Sequence, residues 1–437
     1  MEKPSVSRAD PNVRGKSQMK TIANIATLAI CFSAAQAHAE NDVEVMHFWT
    51  SGGEAAALSV IRDRVVVAGI FWEDTPIVGG GGDQARTALQ ARIAEGNPPS
   101  AMLMLGQNII NWADEGLLGE VNAVAETEGW DAVLSQAVMD FSKINGNYVA
   151  APTNVHRTDM IWASREAFDA IGANYPTTWE EFNALAPRFI EAGIVPIAHG
   201  GQAWQEAYMF EALVLGVGGP DFYRDALVEL NPDALSSETM QSVFAQMAEI
   251  RGMVDDDFAG RDWDVATSMV INGEAAMQIM GDWAKGEFTN AGQRPGQHYA
   301  CIPIPTAGDE GFIYTVNSLS FFAQPDADAA DTQAILATVI MDPEVQVAFS
   351  QAKGAIPART DSDVSSLDEC GQANAAAFSA SEIAGTAVPT FAGTHAAQAN
   401  VVAAASEVIT DFFNSDMSPE DATGQLAEAV ELALGQI

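Results

Sequence analysis

Short β-rich runs alternate with helical stretches along almost the whole chain, and this alternation constrains the fold more than any other feature. Val43–Phe48 reads as a strand, and Glu54–Arg64 as a helix entered through Thr50-Ser51-Gly52-Gly53. Four glycines, Gly79–Gly82, then open a second helix at Asp83-Gln84 that runs to Ile93. Ala101–Leu105 is the next strand and Asn108–Glu115 the next helix. Strands separated by helices predict an α/β protein with parallel sheets covered on both faces. The chain runs extended around Asn147–Pro152, where a first crossing between domains is expected. Beyond it Thr178, followed three residues later by Glu181, has the spacing of a capping box. Ile194–Ala198, Ala275–Met280, Tyr299–Ile304 and Ser318–Ala323 are further strand candidates, and the tail reads as helices over Ala396–Phe413 and Pro419–Leu434.

The start of the chain has a different character. Lys3, Arg8, Arg14, Lys16 and Lys20 precede an apolar run, Thr21–Ala35, and then Ala37-His38-Ala39. A basic start, a short apolar core and small residues at a cut site predict a secretory signal over residues 1–39, cleaved near Ala39. The run is shorter than the ~20 residues a spanning helix needs. Export to the periplasm is therefore expected, with a mature chain from Glu40. At 398 residues that chain is too long for one ordinary core, so two domains are expected.

The whole chain carries a net charge of −39. Removing five basic and two acidic residues with the signal leaves 15 Lys and Arg against 57 Asp and Glu. Such a surface repels phosphate backbones and anionic lipid, which argues against nucleic-acid partners. Cys301 and Cys370 are the two cysteines beyond the signal, and an even count in an oxidising compartment predicts a disulfide; two buried thiols are the alternative.

The chemistry of the remaining motifs fits binding. G-x-S-x-G, H-E-x-x-H and C-x-x-C are absent, so no catalytic residue and no metal site is read, and no cofactor is implied. The glycine run lacks the lysine of a phosphate-binding loop. Of nine tryptophans, Trp112, Trp130, Trp162 and Trp179 lie inside helix or strand patterns and read as core, and Trp72 is undecided. Trp49, Trp204, Trp263 and Trp283 sit after strands or in glycine-punctuated loops. In open α/β sheets, ligands bind where such loops gather. Flat indoles with carboxylates and amides nearby suit a sugar, which has C–H faces and a ring of hydroxyls. Glu54, at a helix start, is one such carboxylate.

His47–Glu54 (HFWTSGGE), Gly79–Gln84 (GGGGDQ), Ala151–His156 (APTNVH), Thr177–Phe182 (TTWEEF), Ala198–Gln205 (AHGGQAWQ), Gly260–Trp263 (GRDW) and Gly273–Trp283 (GEAAMQIMGDW) follow in this order. Together they resemble the family-1 extracellular solute-binding proteins, the maltose-binding-protein-like group. Within it they resemble the periplasmic glucose/mannose-binding proteins of ABC sugar importers. The resemblance implies a two-lobed, type II-like periplasmic binding protein fold with sequence-discontinuous lobes joined by hinge crossings and the ligand in the cleft between them. The expected lobes are residues 40–150 with about 318–354, and 151–317 with about 355–437. It implies a sugar site at positions matching Trp49, Glu54, Gln84, His156, Asp282, Lys353 and His395. The expected cargo is a monosaccharide, with an oligosaccharide or a polyol as the alternative; the expected partners are the membrane permease subunits, and the receptor is expected to be a monomer. Two departures bear on the cargo. Glucose receptors of this type often carry a Trp pair where Phe48-Trp49 stands, and a Lys where Leu105 stands.

Overall fold

The computed structural model describes residues 42–79, 82–324 and 327–435; the expected signal lies outside them. Among the described residues no helix is long and apolar enough to cross a membrane.

The first lobe starts as the alternation predicts. Strand β1 (Asp42–His47) leads to helix α1 (Gly52–Val67), β2 (Phe71–Pro76), α2 (Asp83–Ala94), β3 (Ala101–Leu105) and α3 (Gln107–Asp114). Strands β2 and β3 flank β1, both parallel to it. β2 had no clear signature, because FWEDTP alternates little; it lies at the sheet edge, with Phe71, Glu73 and Asp74 exposed.

Strand β4 (Ala150–Arg157) then carries the chain into β5 (Met160–Ser164). The second lobe adds β6 (Val195–Ile197), α4 (Ala203–Tyr223), α5 (Trp263–Ile271), β7 (Ala275–Ile279), α6 (Ala284–Asn290) and β8 (Tyr299–Pro303). Its sheet has the order β8-β5-β7-β6. The chain returns along β9 (Phe312–Phe321), then α7 (Pro343–Lys353), α8 (Glu369–Ala384), β10 (Ala387–Pro389) and α9 (Ala399–Phe413).

The sheets are mixed, which corrects the expectation of parallel ones. β9 enters from the second lobe, so it meets β3 and β4 antiparallel, while β10 runs parallel to its first residues. β9 also begins six residues earlier than expected. Thr315, Asn317 and Ser318 break its apolar pattern, yet the strand is paired along both edges. β4 and β9 form the two adjacent crossings, and their register shifts between Asn317 and Ser318.

Two large hydrophobic clusters form separate cores. Val43, Met46, Leu103, Val155, Phe321 and Phe349 belong to one. Phe182, Phe210, Leu213, Met247, Val401 and Phe412 belong to the other. A third cluster, with Trp162, Trp263, Trp283 and Tyr299, adjoins the cleft side of the second lobe. There Cys301 and Cys370 are joined by a disulfide, Cα to Cα 6.1 Å, which ties β8 to the start of α8. The capping box is half as expected. Thr178 accepts from the Glu181 amide, but the Glu181 carboxylate reaches back to the amide of Thr177, one residue earlier.

Candidate functional site

The first wall of the cleft grows from the end of β1. Ser51 caps α1, accepting from the Glu54 amide at 3.3 Å, while Glu54 Oε2 accepts from the amides of Thr50 and Ser51 at 3.0 and 3.3 Å. This box fixes the carboxylate, and its other oxygen, Oε1, accepts from Lys353 Nζ at 3.0 Å. Lys353 is 2% exposed and Glu54 9%, so each charge depends on the other. Lys353 ends α7 because Gly354 follows in the left-handed region (φ 91°), and a Cβ there would strike the Asp282 carbonyl oxygen. The ammonium also lies 5.7 Å from the centre of the Trp49 ring, which packs on Phe349 at 5.4 Å. The Trp49 amide donates to His47 Nδ1, and His47 Nε2 donates in turn to Asp74.

His156 comes from the crossing strand β4. Its Nδ1 bonds the Asp282 carboxylate, whose other oxygen accepts from the Arg157 amide at 3.0 Å. Burial holds the His156 pKa below the ordinary histidine value despite that carboxylate. The ring is therefore neutral. Since the carboxylate accepts, Nδ1 carries the proton and Nε2 is left as an acceptor. Nε2 is buried and makes no hydrogen bond among the described residues.

The second wall is aromatic. Trp283 lies at the start of α6, edge-on to His156 at 5.3 Å and to Tyr208 at 5.2 Å. Trp204 sits 6.0 Å from Tyr208 and 6.5 Å from Trp283, its indole N–H donated to Gln202. Behind these rings Glu211 holds the loop after β10. Its carboxylate accepts from the amides of Phe391 and Ala392 and from the hydroxyls of Thr158 and Thr390. Burial pushes the Glu211 pKa up to about 7. The loop then touches the first lobe: the Gln107 amide donates to the Thr394 carbonyl at 2.8 Å. Gly106, with φ 50°, permits this approach, because a Cβ would lie 2.2 Å from that carbonyl oxygen.

Between the walls is a cavity of about 250 Å³. Trp49, Glu54, His156, Trp204, Trp263, Trp283 and Lys353 all line it. Asp282 is one bond behind, against His156. His395 is turned away: Nε2 accepts from the Val316 amide and Nδ1 donates to the Gly393 carbonyl. Gln84 is exposed and lies against Gly79, while its neighbours Gly82 and Asp83 reach the lining. Sequence reasoning missed Tyr208, Asn317 and Trp112, all on the lining. Asn317, a lone amide within an apolar strand, was a usable signal; Tyr208 and Trp112 lie inside helices and gave none. Among the described residues no group of three or more His, Cys, Asp or Glu is placed to hold a metal ion.

Residues 75–336 match the family model described as bacterial extracellular solute-binding protein. A probable sugar-binding periplasmic protein of Rhizobium meliloti is 44% identical over 415 residues, covering 95% of this chain and 99% of its own. Among solved structures, the bacterial solute receptor AcbH, described as preferring β-D-galactopyranose, superposes with a TM-score of 0.76 at 17% identity. That match covers 91% of this chain and all of the other. A chitin oligosaccharide binding protein gives 0.74 at 16% identity, covering 90% of this chain and 99% of its own. Such likenesses define the fold as two-lobed.

Proposed function

The chain belongs to the bacterial extracellular solute-binding proteins, and from that membership we propose that it is the periplasmic sugar receptor of an ABC importer. One observation carries the reading. The cavity of about 250 Å³ sets a buried ion pair and a bare histidine acceptor opposite a wall of indole rings. Hydroxyls of a pyranose can donate to Glu54 and His156 Nε2 and accept from Lys353, while the C–H faces stack on Trp283 and Trp204. The volume is at the small end for ligand pockets, which favours a monosaccharide, glucose- or mannose-like in its pattern of hydroxyls. Trp49 and Trp263 complete the enclosure. Asp282 sets the His156 tautomer, His395 braces β9 against the loop after β10, and Gln84 stands at the rim.

The lobes, residues 40–150 with about 318–354 and 151–317 with about 355–437, close about β4, β9 and the segment Lys353–Pro357. A ligand touching both walls favours the closed form by its differential affinity. The closed monomer is then read by the permease subunits, and the sugar leaves chemically unchanged. Residues 1–39 direct export and are removed near Ala39.

The test is a thermal-shift screen over monosaccharides and oligosaccharides, followed by calorimetry and scattering. A ligand at a hundred times its Kd should add about 2.7 kcal/mol of stability. Glucose or mannose should bind, return unaltered and reduce the radius of gyration. Stabilisation by oligosaccharides alone would refute the monosaccharide reading, and silence from every sugar would refute the receptor reading.

A further inference from the structure

The part of the cavity lined from β3, α3 and α9 carries no charge. Asn108 Nδ2 donates to Thr394 Oγ1 and Asn111 Nδ2 to Gln398 Oε1, each at 3.2 Å. These bonds set the start of α3 against the start of α9. From there α3 turns Asn108 and Trp112, four residues apart, toward the cavity. Across from them α9 presents Ala399, Val402, Ala403 and Ser406, a stripe at intervals of three and four. Leu105, at the end of β3, closes the inner side. The indole of Trp112 is half-buried and held edge-on against Phe322 at 6.4 Å.

The chemistry of this arm differs from that of the rest. An indole and two alanines share this part of the lining, the small alanine side chains leave room, and no charged residue stands among these seven. A sugar hydroxyl placed here would exchange water for little more than Ser406 and Asn108, which is unfavourable. An alkyl or aryl group would bury apolar surface on both helices, which is favourable. We propose that the arm between α3 and α9 is an aglycone subsite, so that the receptor prefers a glycoside with an uncharged apolar substituent to the corresponding free sugar. This rests on the sugar reading of the polar end, which holds the ring and points one of its substituents toward Leu105 and Trp112.

The experiment is calorimetry on the mature chain with glucose, mannose, galactose and xylose, and with the methyl and phenyl glycosides of each in both anomers. For at least one sugar, one anomer of a glycoside should bind about ten-fold tighter than the free sugar, since burying a few tens of Å² of apolar surface is enough. Trp112→Ala should shrink that ratio toward one. Ala403→Leu, on an exposed position of α9 where folding is not at stake, should fill the arm and invert the preference. Free sugars that bind while every glycoside binds equally or more weakly would overturn the aglycone subsite and leave the receptor reading intact. A ratio unmoved by Ala403→Leu would overturn the placement. Failure of both free sugars and glycosides to bind would remove the sugar reading and this inference with it.

Discussion

The two walls of the cleft reach similar burial by opposite means. The wall from β1, α1 and α7 is held by charge: Glu54 is fixed by a helix cap and neutralised by Lys353 from 299 residues away. The wall from α4 and α6 is held by ring packing among Trp204, Tyr208 and Trp283, with hydrogen bonds such as the Trp204 N–H to Gln202 between uncharged groups. The difference separates two tasks. A buried ion pair is costly to desolvate and directional, so in the proposed receptor it would select among hydroxyl patterns. Stacked rings tolerate many patterns and supply area. In the proposed receptor a ligand satisfied by both walls would tie the lobes together.

The largest expected effect comes from breaking the charged wall. Lys353→Met should cost about 3–5 kcal/mol of stability, because it leaves the buried Glu54 carboxylate uncompensated. Adding Glu54→Gln should recover much of that loss while sugar binding stays abolished. Urea unfolding of both variants checks this. Recovery of neither stability nor fold would mean that the pair is only one part of a wider charge network.

A smaller effect tests the joint between the walls. Asp282→Asn can donate an amide hydrogen to His156 Nδ1, which moves the ring proton to Nε2 and turns an acceptor into a donor. Affinity should fall by about 1–3 kcal/mol at most pH values, with the unfolding midpoint little changed. Unaltered affinity would show that His156 Nε2 makes no ligand contact.

The smallest effect lies behind the aromatic wall. The Glu211 pKa is raised to about 7, so the folded chain holds that proton more firmly than the unfolded one. The associated stability is present below the ordinary glutamate pKa and is lost as pH rises through about 7. Burial depresses His199 and His395 to about 3 and about 4. Their contribution runs the other way, lost as pH falls below the ordinary histidine value. A difference measurement cancels the histidines. Relative to the native protein, Glu211→Gln should gain a few degrees in Tm between pH 5 and pH 8. A difference that is flat with pH would mean that Glu211 is ionised throughout.

Much of the fold was legible because its signals are local. Thr178 before Glu181, Glu54 at a helix start and Trp49 after a strand each act over a few residues, where backbone sterics and capping decide the outcome. These set the strand–helix alternation, and the order of the motifs carried the family resemblance. What the sequence left open was set by distant partners. Glu54 could have been a helix-start acid alone; the return of α7 alongside α1 made it half of an ion pair. His395 read as a candidate ligand, and the approach of its loop to β9 turned both nitrogens to backbone groups. Trp112 read as core, and its ring does pack against the first core, but the nearness of α3 to α9 also set it on the cavity lining. In each case the local pattern fixed the side chain's element and face. Which surface that face met depended on sheet order and on the packing of two lobes, because contacts between residues far apart in sequence are chosen by the whole core and not by their neighbours in sequence.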